Sequence, residues 1–210
     1  MGITAKRNKI RELRRQAILK AARKLFFEKG FKNVSVESIA KRANISKGAV
    51  YLHFKSKDEI YTHLLLNEVD RHQKIIQSIV DEKKTAFESI KNIALSYADF
   101  FLHDPELFRI LMNYMLNPEH LELTEEMDRK LLIAVNKNID AISELLKAGI
   151  EAGEFPRNIN IFHNRNVIWG MINGIIALHL FTGPEEKRGG RIRNTIDEGV
   201  SIFLKGLKEF

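Results

Sequence analysis

Apolar residues recur at three- and four-residue steps along most of the chain, which is the spacing of an α-helix with one buried face. The first such segment keeps this spacing at Ile10, Leu13, Ala17, Ala21 and Leu25. Gly30 then follows, at a place where the end of a helix favours a residue that adopts a left-handed backbone. The chain shows no convincing strand pattern and no internal repeat. The pattern therefore predicts an all-α protein of about nine helices.

Helix boundaries follow from the capping residues, glycines and prolines that flank these segments. Pro105 opens one helix, because proline is tolerated in a first turn, and Asn117-Pro118 ends it. Residues 1–7 have no apolar pattern and are predicted to be a flexible arm, and residues 185–190 are predicted to be a polar loop. The predicted helices span residues 8–29, 36–43, 47–54, 57–80, 85–103, 105 to the Asn117-Pro118 break, 124–152, 161–181, and 191 to the C-terminus.

The second and third of these helices form the most informative stretch of the chain, residues 34–58. Ser35 and Ser46 are positioned to accept hydrogen bonds from the free N–H groups that open each helix. Asn44-Ile45 lies between the helices, and asparagine tolerates the left-handed backbone of a tight turn. Two short helices joined in this way are a helix-turn-helix, whose second helix can enter the major groove of DNA.

Four segments within and around this stretch have the residue types and the spacing of a known family. They read KGF at 29–31, SVESIA at 35–40, ISKGAVYLHF at 45–54 and SKDEI at 56–60. On these residues the chain resembles the N-terminal DNA-binding domain of the TetR family of transcriptional regulators. The family usually has glycine where this chain has Asn44, which is the substitution that a left-handed turn accepts most readily.

DNA contacts are expected on the second helix of this motif. Its N-terminus carries backbone N–H groups and the positive end of the helix dipole, which favour a phosphate. Gly48 has no side chain, so the backbone can approach DNA closely. Packing at the rim of the motif is the alternative for Tyr51, and an ordinary surface position is the alternative for His53. Helix position and family resemblance together give the expected contact set of Ser35, Ser46, Lys47, Gly48, Ala49, Tyr51, His53 and Lys57.

Charge supports this assignment. Residues 1–57 contain 16 Lys and Arg against 3 Asp and Glu, a net charge of +13, so that in a chain of net +7 the remaining residues carry −6. A basic segment next to an acidic remainder is typical of a nucleic-acid-binding domain joined to a second domain. On charge alone, a solvated helix face rich in lysine and arginine would explain the basic segment equally well. The expected domains are residues 1–56 for DNA binding and residues 57–210 for ligand sensing and dimerisation.

Other classes of function find little support. The absence of cysteine excludes disulfides, thiolate metal sites and cysteine nucleophiles. The chain has no phosphate-binding loop, nucleophile elbow, zinc motif or dinucleotide fingerprint, so an enzyme is not expected. The pairs Glu59/His63 and Glu68/His72 have a spacing that could hold a metal, but such pairs are common on helix surfaces, and neither a metal nor a cofactor is expected.

A cytoplasmic location is expected, because the sequence shows neither a signal peptide nor a membrane span. The basic N-terminus is not followed by an apolar segment of the signal-peptide kind. The longest apolar run, residues 167–181, is too short for a confident membrane span and contains Asn173 and His179. No membrane partner is expected.

A single helix-turn-helix reads only a few base pairs, and such proteins usually bind pseudo-palindromes as dimers. The family resemblance implies that the last two helices form a four-helix bundle with those of a second subunit, and hence a homodimer. Gly170 and Gly174 would let two helix backbones approach closely, although packing within one subunit would use them in the same way. The expected interface residues are Gly170, Gly174, Ile196, Val200 and Phe203.

The helices after residue 85 contain an aromatic and methionine-rich set that could line an adaptable apolar pocket for a small-molecule effector. For any one of these residues, simple core packing is the alternative. The candidate ligand-binding residues are Tyr97, Phe101, Phe108, Met112, Trp169 and Asn173. The resemblance implies a dimeric repressor that leaves a palindromic double-stranded DNA operator when a largely apolar ligand binds. A ligand-independent or nonspecific DNA-binding protein, or an activator, is the alternative.

Overall fold

The protein folds as an array of helices. The structure is a computed structural model, and it describes residues 3–82, 84–116, 123–180 and 182–209. Within these ranges no strand is found, which confirms the predicted all-α class. The helices are α1 (Ile3–Lys29), α2 (Val36–Arg42), α3 (Lys47–Tyr51), α4 (Lys57–Asp81), α5 (Ala86–His103), α6 (Pro105–Leu116), α7 (Glu125–Glu151), α8 (Ile161–Leu180) and α9 (Glu185–Leu207), with a 3₁₀ turn at Phe31–Asn33.

Two helices begin earlier than the sequence predicted. Helix α1 begins at Ile3, so residues 3–7 are helical, whereas a flexible arm was predicted there. Helix α9 begins at Glu185, where a polar loop was predicted. Residues 185–190 are charged or glycine, and residues 3–7 contain only two apolar side chains, so apolar periodicity does not extend into either segment. In α9, Pro184 precedes the helix and two glutamates occupy its first turn, where negative charge is favourable.

Two predicted helix ends lie outside the described residues, namely the Asn117-Pro118 break and residue 181. Helix α3 ends at Tyr51, three residues before its predicted end, and a turn closes it. The N–H groups of His53 and Phe54 both donate to the carbonyl of Val50, at 2.9 and 3.0 Å. In the described part of the chain, every helix is too short or too polar to cross a membrane.

The chain divides into two compact units. Unit 1 comprises Met1–Glu68 and Glu106–Leu131, and unit 2 comprises Val69–Pro105 and Leu132–Phe210. The division passes through α4 and α7, so each of these helices contributes to both units. A functional boundary at residue 56 stays a prediction.

Unit 1 is built on the buried face of α1. Ile18 and Ala22 are fully buried there, and Ile39 of α2 and Val50 of α3 are equally buried. The turn between α2 and α3 has the geometry that the sequence predicted. Asn44 has a φ of 56°, in the left-handed region.

Unit 2 is built around α5, which packs on α8 and α9. Its interior is almost entirely apolar, with Ile90, Ala94 and Phe101 of α5 fully buried. The α5 N-terminus is closed by the carboxylate of Glu154, which accepts hydrogen bonds from the N–H groups of Ala86 and Phe87 at 2.9 and 3.2 Å. An acidic group at this end also complements the helix dipole.

Candidate nucleic-acid interface

A serine caps the N-terminus of each helix of the helix-turn-helix. The N–H of Ser38 donates to Ser35 Oγ at 3.1 Å, and the N–H of Ala49 donates to Ser46 Oγ at 3.1 Å. Each hydroxyl therefore uses a lone pair of its oxygen to close a helix, and its own proton remains available for an external acceptor such as a phosphate oxygen. Both serines are exposed.

Helix α3 has a buried face and an exposed face. Val50 is fully buried and Phe54, just after the helix, is 1% exposed, so these two side chains fix the helix to unit 1. Lys47 and Gly48 are exposed, and Tyr51 is 48% exposed. A Cβ placed on Gly48 would meet no atom within 4 Å. The chain itself therefore does not require glycine at position 48.

Three of the expected contacts are less exposed. Ala49 and His53 lie partly buried beside the exposed face. Lys57 is also partly buried, since its ammonium donates to the Phe31 carbonyl at 2.9 Å and lies 4.2 Å from the centre of the Phe31 ring. This contact joins the start of α4 to the loop after α1. The contact set as a whole stays a prediction.

A basic groove lies beside the end of α3. It is a cavity of about 430 Å³ lined by Arg7, Ile10, Arg11, Arg14, Leu52 and His53. Of these lining residues, only His53 belongs to the contact set expected from the sequence. Arg11 and Arg14 lie inside the predicted helix over residues 8–29, and Arg7 joins them at helical spacing because α1 extends to Ile3. Partial burial and the nearby positive charges of Arg11 and Arg14 lower the pKa of His53.

The predicted ligand-binding residues fall into two groups. Tyr97, Phe101, Trp169 and Asn173 come together in unit 2, where the Tyr97 ring centre lies 4.8 Å from that of Phe101 and 4.7 Å from that of Trp169. The Tyr97 hydroxyl donates to Asn173 Oδ1 at 3.1 Å, and Asn173 Nδ2 donates to the Trp169 carbonyl at 2.9 Å. Burial raises the pKa of Tyr97.

The other two candidates, Phe108 and Met112, belong to α6 in unit 1. Phe108 is 2% exposed and packs in the interior of that unit, and Met112 is partly exposed. A role for either group in ligand binding stays a prediction.

A buried histidine beside Tyr97 was not singled out as a core residue from the sequence. His72 is 1% exposed, and its Nε2 lies 3.1 Å from Ser96 Oγ. The Ser96 hydroxyl gives its only proton to the Ile93 carbonyl at 2.9 Å, so it must accept from His72 Nε2–H. His72 Nδ1 therefore carries no proton in the neutral ring, and it has no hydrogen-bond partner among the described residues.

The pairs considered for metal binding have other roles. His72 faces the interior, as described above. His63 Nδ1 lies 2.9 Å from Arg15 Nη2, and the Glu59 carboxylate accepts a hydrogen bond from the Lys55 N–H. Among the described residues, no three His, Asp or Glu side chains form a group that could hold a metal ion.

Two residues predicted at a dimer interface are placed elsewhere. Ile196 and Val200 of α9 are fully buried within the single chain, so a partner subunit cannot reach them. Their helical spacing marks the core face of α9, and the opposite face is the one that remains free. Gly170 and Gly174 are exposed, and Phe203 is partly exposed.

Burial lowers the pKa of His72 to about 4, with the charge of Arg71 a smaller cause. Between pH 6.5 and about 4 the unfolded chain therefore binds a proton at this residue that the folded chain does not. The contribution of neutral His72 to the free energy of unfolding is fully present above pH 6.5, and it is lost as the pH falls from 6.5 to about 4. The loss reaches about 3 kcal/mol, because one unit of pKa corresponds to about 1.4 kcal/mol.

Urea unfolding at a series of pH values measures this effect. His72→Leu is expected to show a shallower loss of stability between pH 6.5 and 4 than the unsubstituted protein. His163→Gln, at an exposed position of α8, should keep the original slope. Parallel slopes for all three proteins would contradict the assignment.

The sequence of this chain is similar to a known protein family and to a characterised relative. Residues 18–64 match the family model for bacterial regulatory proteins of the tetR family. The fatty acid metabolism regulator protein of Bacillus subtilis is 26% identical over 160 residues, which make up 76% of this chain and 80% of the relative.

Two solved structures share the fold. FadR from Bacillus subtilis in complex with stearoyl-CoA has a TM-score of 0.72 at 19% identity, and the match covers 91% of this chain and 98% of that one. FadR from Thermus thermophilus in complex with lauroyl-CoA has a TM-score of 0.65 at 18% identity, with 92% and 94% covered. At these identities the similarity shows the fold alone.

Proposed function

The chain belongs to the TetR family of transcriptional regulators, and from this premise we propose that it is a dimeric repressor of a palindromic operator, released when a small molecule binds. A transcriptional regulator of this family is not an enzyme. The observation that carries the proposal is the exposed face of α3, where Lys47, Gly48 and Tyr51 stand clear of the core while Val50 and Phe54 fix the helix from behind.

DNA binding by this face needs both positioning and reading contacts. We assign the phosphate contacts to the hydroxyls of Ser35 and Ser46 and to the ammonium of Lys47. The basic groove of Arg7, Arg11 and Arg14 lies beside the same face and would add positive charge next to the phosphate backbone of the DNA. Tyr51, with its exposed ring and hydroxyl, is the residue best placed to touch base edges.

Gly48→Ala tests the close approach of the backbone to DNA. Alanine has room at position 48 in the free protein and is the better helix former, so stability should stay equal or rise by up to about 1 kcal/mol. Affinity for DNA enriched from a random pool by the unsubstituted protein should fall, because the new methyl group would occupy space between α3 and the duplex.

Fluorescence anisotropy with this DNA gives the affinity, and urea unfolding gives the stability. Gly206→Ala, where a Cβ also meets nothing within 4 Å, is the matched control and should bind normally. Normal affinity in Gly48→Ala would remove Gly48 from the interface.

Dimerisation would place two copies of α3 on half-sites about 34–36 Å apart, or a multiple of this distance. The exposed faces of α8 and α9 support this proposal. Val167 and Leu178 of α8 are 48% and 63% exposed, and Ile202 of α9 is 64% exposed. Gly170 and Gly174 lie on the same strip of α8, where their lack of side chains lets another helix approach. Burying this strip against a second copy would remove apolar surface from water.

Leu178→Arg is expected to shift the protein towards monomer, because a charge would be buried in an apolar interface. Sedimentation velocity at micromolar concentration measures the shift. Val80→Arg, at another exposed apolar position, should remain a dimer. A monomeric unsubstituted protein, or a Leu178→Arg variant that remains fully dimeric, would refute this interface.

For the ligand, we propose a long-chain acyl-CoA. Support comes from the aromatic cluster around Tyr97 in unit 2 and from the two structures of similar fold, which are complexes with stearoyl-CoA and lauroyl-CoA. An apolar acyl chain suits a site lined by aromatic rings with few polar groups. For such a ligand to release DNA, it must bind the DNA-incompetent state more tightly, and DNA must weaken ligand binding by the same factor.

Adding lauroyl-CoA or stearoyl-CoA to the protein–DNA complex should therefore lower DNA affinity in a saturable manner, as measured by anisotropy. In the reciprocal titration, saturating DNA should weaken acyl-CoA binding by an equal factor. Coenzyme A without an acyl chain is the control and should release little DNA. If neither acyl-CoA changes DNA affinity, the proposed effector class is wrong.

A further inference from the structure

A second cavity lies in unit 2, apart from the aromatic cluster. Its volume is about 470 Å³, and residues of α4 and α7 line it. This volume falls within the range of about 300–1,000 Å³ that is usual for small-molecule sites. Its lining residues are Asp70, Gln73, Lys74, Ile76, Gln77, Lys137, Asn138 and Ala141.

The least expected residue in this lining is Asn138. It lies on the buried face of α7, where helical spacing places it in line with Val135 and Ile142. Asn138 is 6% exposed, and its Oδ1 is buried with no hydrogen-bond partner in the described part of the chain. An unpaired buried carbonyl oxygen costs stability, and leucine at this position would cost none. A ligand group that donates a hydrogen bond would satisfy this oxygen.

Two further amide side chains of the lining use part of their donor capacity within the chain. Gln73 Nε2 donates to the Ala134 carbonyl at 3.2 Å, and Gln77 Nε2 donates to Asp81 Oδ1 at 2.9 Å. Each of these amino groups has two N–H donors, and one of the two is used within the chain. The buried oxygen without a partner in this lining is Asn138 Oδ1, and it needs a ligand that carries an N–H or O–H group.

The net positive charge of the lining also favours a ligand that carries negative charge. Lys74 and Lys137 are exposed, and neither forms an ion pair with a described residue. Asp70 is the one acidic side chain of the lining, so the lysines are in excess. Two ammonium groups on one cavity can hold a phosphate or a diphosphate by charge-assisted hydrogen bonds.

We propose that this cavity binds the phosphorylated pantetheine portion of a coenzyme A derivative. Its amide N–H groups would donate to Asn138 Oδ1, and its phosphates would contact Lys74 and Lys137. The inference rests on the proposed function, since it supplies the polar half of an acyl-CoA site whose apolar half is the acyl chain. It identifies Asn138 as a specificity residue, because a ligand with phosphates but without amide groups leaves Oδ1 unpaired.

Three probes and three variants of the full chain test this site by isothermal titration calorimetry. The probes are coenzyme A, lauroyl-CoA and adenosine 3′,5′-bisphosphate, which has phosphates but no pantetheine. Coenzyme A should bind the unsubstituted protein more tightly than the bisphosphate. Asn138→Leu should raise the melting temperature yet weaken binding of both coenzyme A compounds by about tenfold or more. The binding of the bisphosphate should change little.

The double variant Lys74→Gln/Lys137→Gln should weaken all three probes by about tenfold and reduce the salt dependence of binding. Lys147→Gln, an exposed lysine of α7 outside the cavity lining, is the matched control and should bind as the unsubstituted protein does. Because the double variant changes only exposed side chains, it keeps the test valid should Asn138→Leu fail to fold.

Failure of this inference is distinguishable from failure of the proposed function. If lauroyl-CoA releases DNA from the Asn138→Leu and double-lysine variants as it does from the unsubstituted protein, the cavity is not the site and the repressor proposal stands. If coenzyme A binding depends on these residues but no acyl-CoA releases DNA, the cavity is confirmed and the effector is wrong. Undetectable binding of coenzyme A to the unsubstituted protein would overturn the inference.

Discussion

The burial of Val50 and Phe54 in the interior of unit 1 is the constraint on which the DNA-binding unit depends. A five-residue helix such as α3 is far too short to be stable by itself, because the cost of nucleating a helix is repaid only over many residues. Burial of its apolar face and the Ser46 cap supply that stability. Once these contacts are made, Lys47, Gly48 and Tyr51 have no structural task and are free to face a duplex.

Unit 2 contains a different kind of constraint, since its core includes polar groups that are only partly satisfied. The Tyr97 hydroxyl donates to Asn173 Oδ1, and Asn173 Nδ2 donates to the Trp169 carbonyl, so both side chains have partners within the chain. His72 Nδ1 and Asn138 Oδ1 have no partner among the described residues. Buried polar groups are usually paired, and exceptions call for an explanation. A core designed only for stability would have apolar residues there, which is why ligand recognition is the explanation we favour.

The agreement between sequence and fold is uneven for reasons that can be traced to particular residues. The α2–α3 turn was predicted from Asn44, and the caps from Ser35 and Ser46, because these features depend on neighbours only a few residues away. The start of α9 at Glu185 was missed because its first turns are polar on all sides. At the candidate site, the exposed face of α3 could be predicted from sequence, but the alignment of Arg7 with Arg11 and Arg14 required the true start of α1.

Taken by itself, the sequence determined the helical class, the helix-turn-helix and the concentration of positive charge near the N-terminus, since all three follow from local spacing and composition. Only the tertiary structure decided which apolar face of α9 is core, and it turned Ile196 and Val200 inward. It also decided that His72 and Asn138 are buried without full partners. The physical reason is that periodicity shows a helix has an apolar face, whereas the contacts made with distant segments decide what that face meets.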